Sequence, residues 1–147
     1  MATLGELRTG LFPAASVLSD PGEAALAVEL GWVRTLRSRV PALDALEPGD
    51  IVIAPVATLG AVARGPGDAD ALVEAVTAAR AAAILVVGAD DPTRPHLAAL
   101  VAAAARHGLP VLQVPGTDPG SVERSVVGWL VNRRAELDRQ AATLERR

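Results

Sequence analysis

GWVRTLRSRVPALDALEPGDIVIAP, residues 31–55, is the stretch that decides the fold. Near its end Ile51, Val52, Ile53 and Ala54 follow a Gly49-Asp50 turn and are stopped by Pro55. A short, β-branched segment that is apolar on both faces belongs inside a parallel sheet with helices covering either side. Upstream, Leu26, Val28, Leu30 and Trp32 alternate with Ala27, Glu29, Gly31 and Val33, which predicts a half-exposed strand over residues 26–36, with Pro41 preventing its extension.

Downstream of residue 55 one unit repeats. Asp68 or Asp70 is placed to cap a helix running to about Arg80, with Leu72, Val73, Val76 and Ala79 on one face, and residues 84–87 (ILVV) form a second buried strand. Residues 95–107 form a helix with Leu97, Leu100, Val101 and Ala104 inward. Gly108 supplies the left-handed residue at its end, Leu109 folds back on the last turn, and Pro110 prevents continuation. Residues 111–114 are the third strand of the series, and Asp118 before Pro119 starts a long final helix. At the other end, residues 3–9 read as a short helix with Thr3 as N-cap and Glu6 at capping-box spacing. Strands joined by single helices imply right-handed crossovers. The expected fold class is α/β, a mostly parallel sheet flanked by helices, with a long C-terminal helix extending from the domain. The division is an α/β domain over residues 1–118 and a signalling or dimerisation helix over residues 119–147.

Composition narrows the function. A chain of 147 residues, half of them hydrophobic, suits one core. The mean hydropathy of +0.32 owes much to Ala, and the longest apolar run, residues 81–87, is far below the roughly 20 residues of a membrane span. The first ten residues lack a basic start followed by an apolar run, so no secretory signal is expected and the chain reads as cytoplasmic. With no cysteine, disulfides, thiolate catalysis and Cys-based metal sites are excluded. With no lysine, so are the P-loop and Schiff-base lysines. A net charge of −3, with Arg spread along the chain, gives no basic face for phosphate backbones, so this chain alone is not expected to bind DNA.

Ligands of such sheets sit beyond the carboxyl ends of the strands, here the loops over residues 34–39, 55–59, 88–94 and 115–118. The candidate ligand-binding residues in them are Arg34, Arg37, Thr58, Gly88 and Asp90. An Arg fork at Arg34 and Arg37 would take a carboxylate or a planar polar ring, although an exposed arginine is the commoner meaning. Asp90 and Asp91 could hold a ribose, an amine or magnesium; the commoner alternative is a solvated turn that caps the helix after Pro92. The GPGDAD of residues 65–70 loosely resembles a phosphate loop, but no strand immediately precedes it and the third glycine is missing. His96 and His107, eleven apart on one helix, cannot be an i, i+4 metal pair. No Ser–His–Asp, Cys–His or paired-glutamate arrangement is present, so no catalysis, cofactor or metal is expected.

Several segments together resemble the N-terminal domain of PucR-like transcriptional regulators. Thr3-Leu4-Gly5-Glu6-Leu7 is similar to that domain's opening helix, and Val17-Leu18 to the turn after it. Gly31-Trp32-Val33-Arg34 is similar to the strand bearing the family's Trp-Val pair, and residues 46–53, LEPGDIVI, to its Gly-Asp/Glu strand start. The Thr-Thr-Gly that usually follows is Ala54-Pro55-Val56 here. The resemblance implies a regulatory domain that senses a small metabolite upstream of a C-terminal helix-turn-helix. The order GDIVIAP, helix, AAAILVVG and GLPVLQVP also resembles the N-terminal α/β domains of Mur ligases, which bind a uridine nucleotide, and of HPr kinase. The Asp-Ser-Arg of such ligases is absent, since residues 35–39 read TLRSR. A ligand-free dimerisation scaffold is a third possibility.

In the final helix Val127, Leu130, Leu137, Ala141 and Leu144 recur at spacings of three, four and seven between charged residues. Residues 122–130 are expected to pack on the sheet; beyond Asn132 the stripe needs a partner. A parallel homodimer is expected, with Arg134 at a seam position weakening the coiled coil so that part of the contact comes from the α/β domain. DNA would then be bound only by a further C-terminal domain of a longer protein.

Overall fold

Successive side chains of each central strand point to opposite faces and nearly all are buried, so one sheet feeds two cores. The computed structural model describes residues 2–19, 22–37, 45–88, 94–114 and 118–145. Its elements are α1 (Leu4–Gly10), β1 (Ser16–Ser19), α2 (Glu23–Leu26), β2 (Val33–Thr35), β3 (Ile51–Pro55), α3 (Val56–Val62), α4 (Pro66–Ala78), β4 (Ala83–Val87), α5 (Pro95–His107), β5 (Val111–Val114) and α6 (Pro119–Glu145). The sheet order is β1-β5-β4-β3-β2, with β2 to β5 parallel and β1 antiparallel at one edge. The fold class is the α/β arrangement expected.

On one face Ile51, Ile53, Leu85 and Leu112 pack against Leu4 and Leu7 of α1 and Val122, Val126 and Leu130 of α6. On the other, Val52, Ala54, Ile84, Val86 and Val111 pack against Leu59 of α3, Val73 and Val76 of α4, and Leu97 and Leu100 of α5. Each of these side chains is at most 7% exposed, and burying one aliphatic side chain is worth about 1.5–3 kcal/mol. The doubly apolar strands therefore follow from having helices on both sides.

Local signals set several element ends as expected. The Thr3 hydroxyl oxygen accepts from the Glu6 N–H at 3.3 Å and starts α1. Gly108 takes the left-handed conformation (φ 69°) that closes α5, and the Leu109 N–H returns to the Ala104 carbonyl at 2.9 Å. Asp118 accepts from the Gly120 N–H at 3.2 Å at the head of α6.

Four expectations are corrected. Residues 26–36 are not one strand: Leu26 ends the short α2, Glu29 makes an isolated bridge with Thr3, and β2 holds only Val33–Thr35. Ser16–Ser19, whose Val17 and Leu18 were expected in a turn, is the edge strand β1. Residues 56–59 are not loop, because α3 begins directly after Pro55, which is extended at φ −62° and ψ 137°. The cap of α4 is Gly65, with Pro66 opening the helix and Asp68 in its first turn, rather than Asp68 or Asp70.

Candidate functional site

The carboxyl ends of β2 to β5 form one pole of the sheet. Arg37 follows β2 there and is half-buried; α3, carrying half-buried Thr58, leaves from the end of β3; Gly88 follows β4. Gly88 has φ 139°, and a Cβ on it would lie 2.8 Å from Val56 Cγ2, so the backbone at the end of β4 sits directly against the Val56 side chain at the start of α3. The Gln113 side-chain amide donates to the Gly88 carbonyl at 3.4 Å and ties the end of β5 to the same point. The fold thus brings Arg37, Thr58 and Gly88 to one pole. Asp90 and Asp91 lie outside the described residues, as do residues 38–44 and 115–117.

Arg34 is placed differently. It sits in the middle of β2, opposite Val52, and its Nε donates to Asp50 Oδ2 at 3.4 Å, on the amino side of β3. Asp50 is 1% exposed and is the hub of this second pole. Its Oδ1 accepts from the Trp32 N–H at 3.0 Å and its Oδ2 from the Glu47 N–H at 3.0 Å. The carboxylate therefore fixes the Gly-Asp turn and the start of β2 at once. The Gly-Asp pair before an apolar strand was the available sequence signal for it.

The same pole contains a strained residue that sequence reasoning missed. Past the end of α4, the Arg80 N–H bonds to the Thr77 carbonyl at 2.9 Å and the Ala81 N–H to the Val76 carbonyl at 3.2 Å. This is the Schellman closure, in which the left-handed position usually holds glycine. Here it holds Arg80 at φ 61°, the one described non-glycine residue with positive φ. Left-handed geometry costs a residue with a Cβ about 1–2 kcal/mol, whereas a cation at a helix C-terminus returns only about 0.3–1 kcal/mol. The Arg80 carbonyl also accepts from the Gly49 N–H at 2.9 Å, which joins the end of α4 to the Gly-Asp turn.

Helix α6 is bound to the body at two points beyond its buried half. Arg133 Nη2 meets Glu6 Oε2 of α1 at 2.6 Å, and Arg133 Nη1 meets Glu136 Oε2 at 3.3 Å. Arg134 Nη2 donates to the Gly31 carbonyl at 2.7 Å, with its guanidinium 5.8 Å from the centre of the Trp32 ring. Arg134, expected at a dimer seam, is thus engaged within the chain. Of the five residues expected on the dimer stripe, Leu130 is fully buried in the chain's own core and Val127 packs against it. Leu137 is half-buried, and Ala141 and Leu144 are exposed.

A third polar cluster joins α4 to α5. Asp70 Oδ1 meets Arg106 Nη2 at 3.0 Å and His107 Nε2 at 3.3 Å. The Arg106 guanidinium, and after it His107, hold the Asp70 carboxyl below its ordinary value. Among the described residues no group of three or more His, Cys, Asp or Glu side chains is placed to hold a metal, and no helix is long and apolar enough to cross a membrane.

No protein-family model and no curated protein matches this chain. Among solved structures it is similar to the CBS and DRTGG domains of the regulatory region of Clostridium perfringens pyrophosphatase, a crystal structure complexed with the activator diadenosine tetraphosphate. The TM-score is 0.50 and the identity 19%, over 84% of this chain and 44% of that one. The likeness shows a shared fold, and this chain spans less than half the length of that one.

Proposed function

We propose that this chain is a non-catalytic, ligand-sensing regulatory domain, the input module of a PucR-like transcription regulator. A small metabolite bound at the carboxyl pole, around Arg37, Thr58, Gly88 and the adjoining segment with Asp90, biases the position of α6. A DNA-binding domain elsewhere in a longer protein reads that position, and a second copy of the chain pairs along the distal part of the helix.

The observation that carries this reading is the division of α6. Its first half supplies Val122, Val126 and Leu130 to the sheet, while residues 138–145 are wholly exposed, with Leu144 at 68%. At about 1.5 Å per residue its 27 residues reach roughly 40 Å, longer than the sheet it packs on requires. A helix rooted in a sensing core and leaving it is a means of passing a state outward. The fold likeness to part of a regulatory region that binds an activator supports the same reading.

A thermal-shift screen of purines, ureides, amino acids and nucleotides tests it. A true effector at about a hundred times its Kd adds about 2.7 kcal/mol, a rise of roughly 5–10 °C for a domain of this size, and Arg37→Ala reduces that rise. A screen in which no compound raises Tm, or turnover of any of them by the pure chain, refutes the proposal.

A further inference from the structure

A cleft of about 500 Å³ opens at the amino pole, opposite the end considered above, between the turn after α4 and helix α6. Arg80 and Arg134 line it from elements distant in sequence, with the backbone of Gly31 and Gly49 between them and Val28 and Leu30 on an apolar wall. We propose that this cleft is a binding site for a small oxyanion, a carboxylate or phosphate held between Arg80 and Arg134.

Three independent observations converge on it. First, Arg80 keeps a left-handed backbone at a position where glycine closes the helix without strain, and its side chain is exposed and makes no hydrogen bond or ion pair among the described residues. Backbone strain retained in this way gathers at sites of function. Placing the same charge one turn earlier on α4 would serve the helix dipole without strain, so the dipole does not account for it. Second, Arg134 is already oriented: one nitrogen is fixed on the Gly31 carbonyl and its plane lies over Trp32. A guanidinium has five donors, so most remain for a ligand, and a fork whose orientation is set in advance loses less on binding. Third, the cleft is of the size that small-molecule sites have, about 300–1,000 Å³. Glu29 is the one acid on its wall, so two arginines leave it net positive. Because Arg134 belongs to α6, an anion here ties that helix to the turn after α4.

The test uses the intact chain at low ionic strength, titrated separately with inorganic phosphate and with succinate against chloride of matched ionic strength, and followed by amide chemical shifts. The expected result is one saturable transition moving the Gly31, Gly49 and Arg80 amides for at least one of the two anions, and which of them acts identifies the ligand's charged group. Arg80→Gly, which relieves the strained turn and so keeps the fold, weakens that transition roughly tenfold, as loss of one charge-assisted contact does. Arg134→Gln acts similarly, Glu29→Gln tightens it, and Arg64→Gln, at an unrelated exposed arginine, leaves it unchanged. Absence of saturation with both anions, an Arg80→Gly affinity equal to the parent's, or equal weakening by Arg64→Gln overturns the proposal. None of these results depends on the carboxyl-pole effector, whose screen reads a different set of residues.

Discussion

Replacing Asp50 by alanine is expected to be among the most damaging polar substitutions in the described part of this chain. The carboxylate is 1% exposed and accepts from two backbone N–H groups, those of Trp32 and Glu47, each at 3.0 Å. A hydrogen bond to a charged group contributes about 1.5–3 kcal/mol, so the two together are worth about 3–6 kcal/mol, with the bond to Glu47, an exposed residue, at the low end. The ion pair to Arg34 adds little, because that side chain is 34% exposed and such pairs are worth under about 1 kcal/mol. Set against a typical total of about 5–15 kcal/mol, this removes a large share of the stability. Urea denaturation followed by far-UV circular dichroism measures it. Asp50→Asn is expected to fall between parent and Asp50→Ala, since its amide keeps one acceptor and sets an NH₂ group against the other N–H. Arg34→Ala is expected to lose less than about 1 kcal/mol. A loss below about 1 kcal/mol for Asp50→Ala, or an equal loss for Arg34→Ala, would refute the view that the carboxylate acts through the two backbone groups.

Three further outcomes are expected. Gly88→Ala places a Cβ 2.8 Å from Val56 Cγ2 at a φ of 139°, and should lower stability by about 1–3 kcal/mol; if Val56→Ala in the same chain restores none of it, backbone conformation alone is responsible. The Ser121 hydroxyl, with the Gly120 N–H among the lesser contributions, holds the Asp118 carboxyl below its usual value of 3.8. Its contribution is therefore present above pH 3.8 and is lost as pH falls through the lower folded value; Asp118→Asn should flatten that acid limb in a Tm-against-pH series, and an unchanged limb contradicts it. Leu137→Glu with Leu144→Glu should shift the chain from dimer to monomer in light scattering at tens of micromolar while keeping the far-UV circular dichroism of the folded chain, and should remove any dependence of Tm on protein concentration; a parent that is already monomeric rules out α6 as a dimer element.

What could be read in advance depended on whether a signal was local. β3, β4 and β5 are buried on both faces or nearly so, and such strands are continuous apolar runs between turn residues, legible without any knowledge of neighbours. The helix over Pro95–His107 was legible because Pro95 and Gly108 mark its ends. β1 was not, because SVLS is four residues whose pairing with β5 comes from tertiary contact. α3 was missed because Pro55 stops a strand as readily as it begins a helix. The alternation over residues 26–36 suggested a long strand, yet Leu26 ends α2, Glu29 only bridges Thr3, and the Leu30 and Gly31 N–H groups go to the Ala2 and Gly49 carbonyls at 2.8 and 2.9 Å, so regular pairing with β3 starts only at Val33. Arg34 was assigned to the carboxyl pole from its place near the end of β2, whereas its side chain reaches Asp50 at the start of β3. Gly88 and Arg37 were legible as strand-end residues, while Arg80 and Arg134 were not, since only the fold brings the end of α4 beside α6.

The antiparallel edge strand also bears on the order in which the molecule can be completed. Ser16 lies opposite Gln113 and Val17 opposite Leu112, so the first of the described strands pairs with the last of them. β2, β3 and β4 can join through successive crossovers as the chain lengthens, but Ser16–Ser19 has no partner until β5 has emerged and docked. Closing so long an intervening chain is entropically unfavourable and slows the final step relative to the local crossovers. During that interval the outer edge of β5 is open, and its Val111, Leu112 and Val114 are the residues most in need of shielding from other nascent chains.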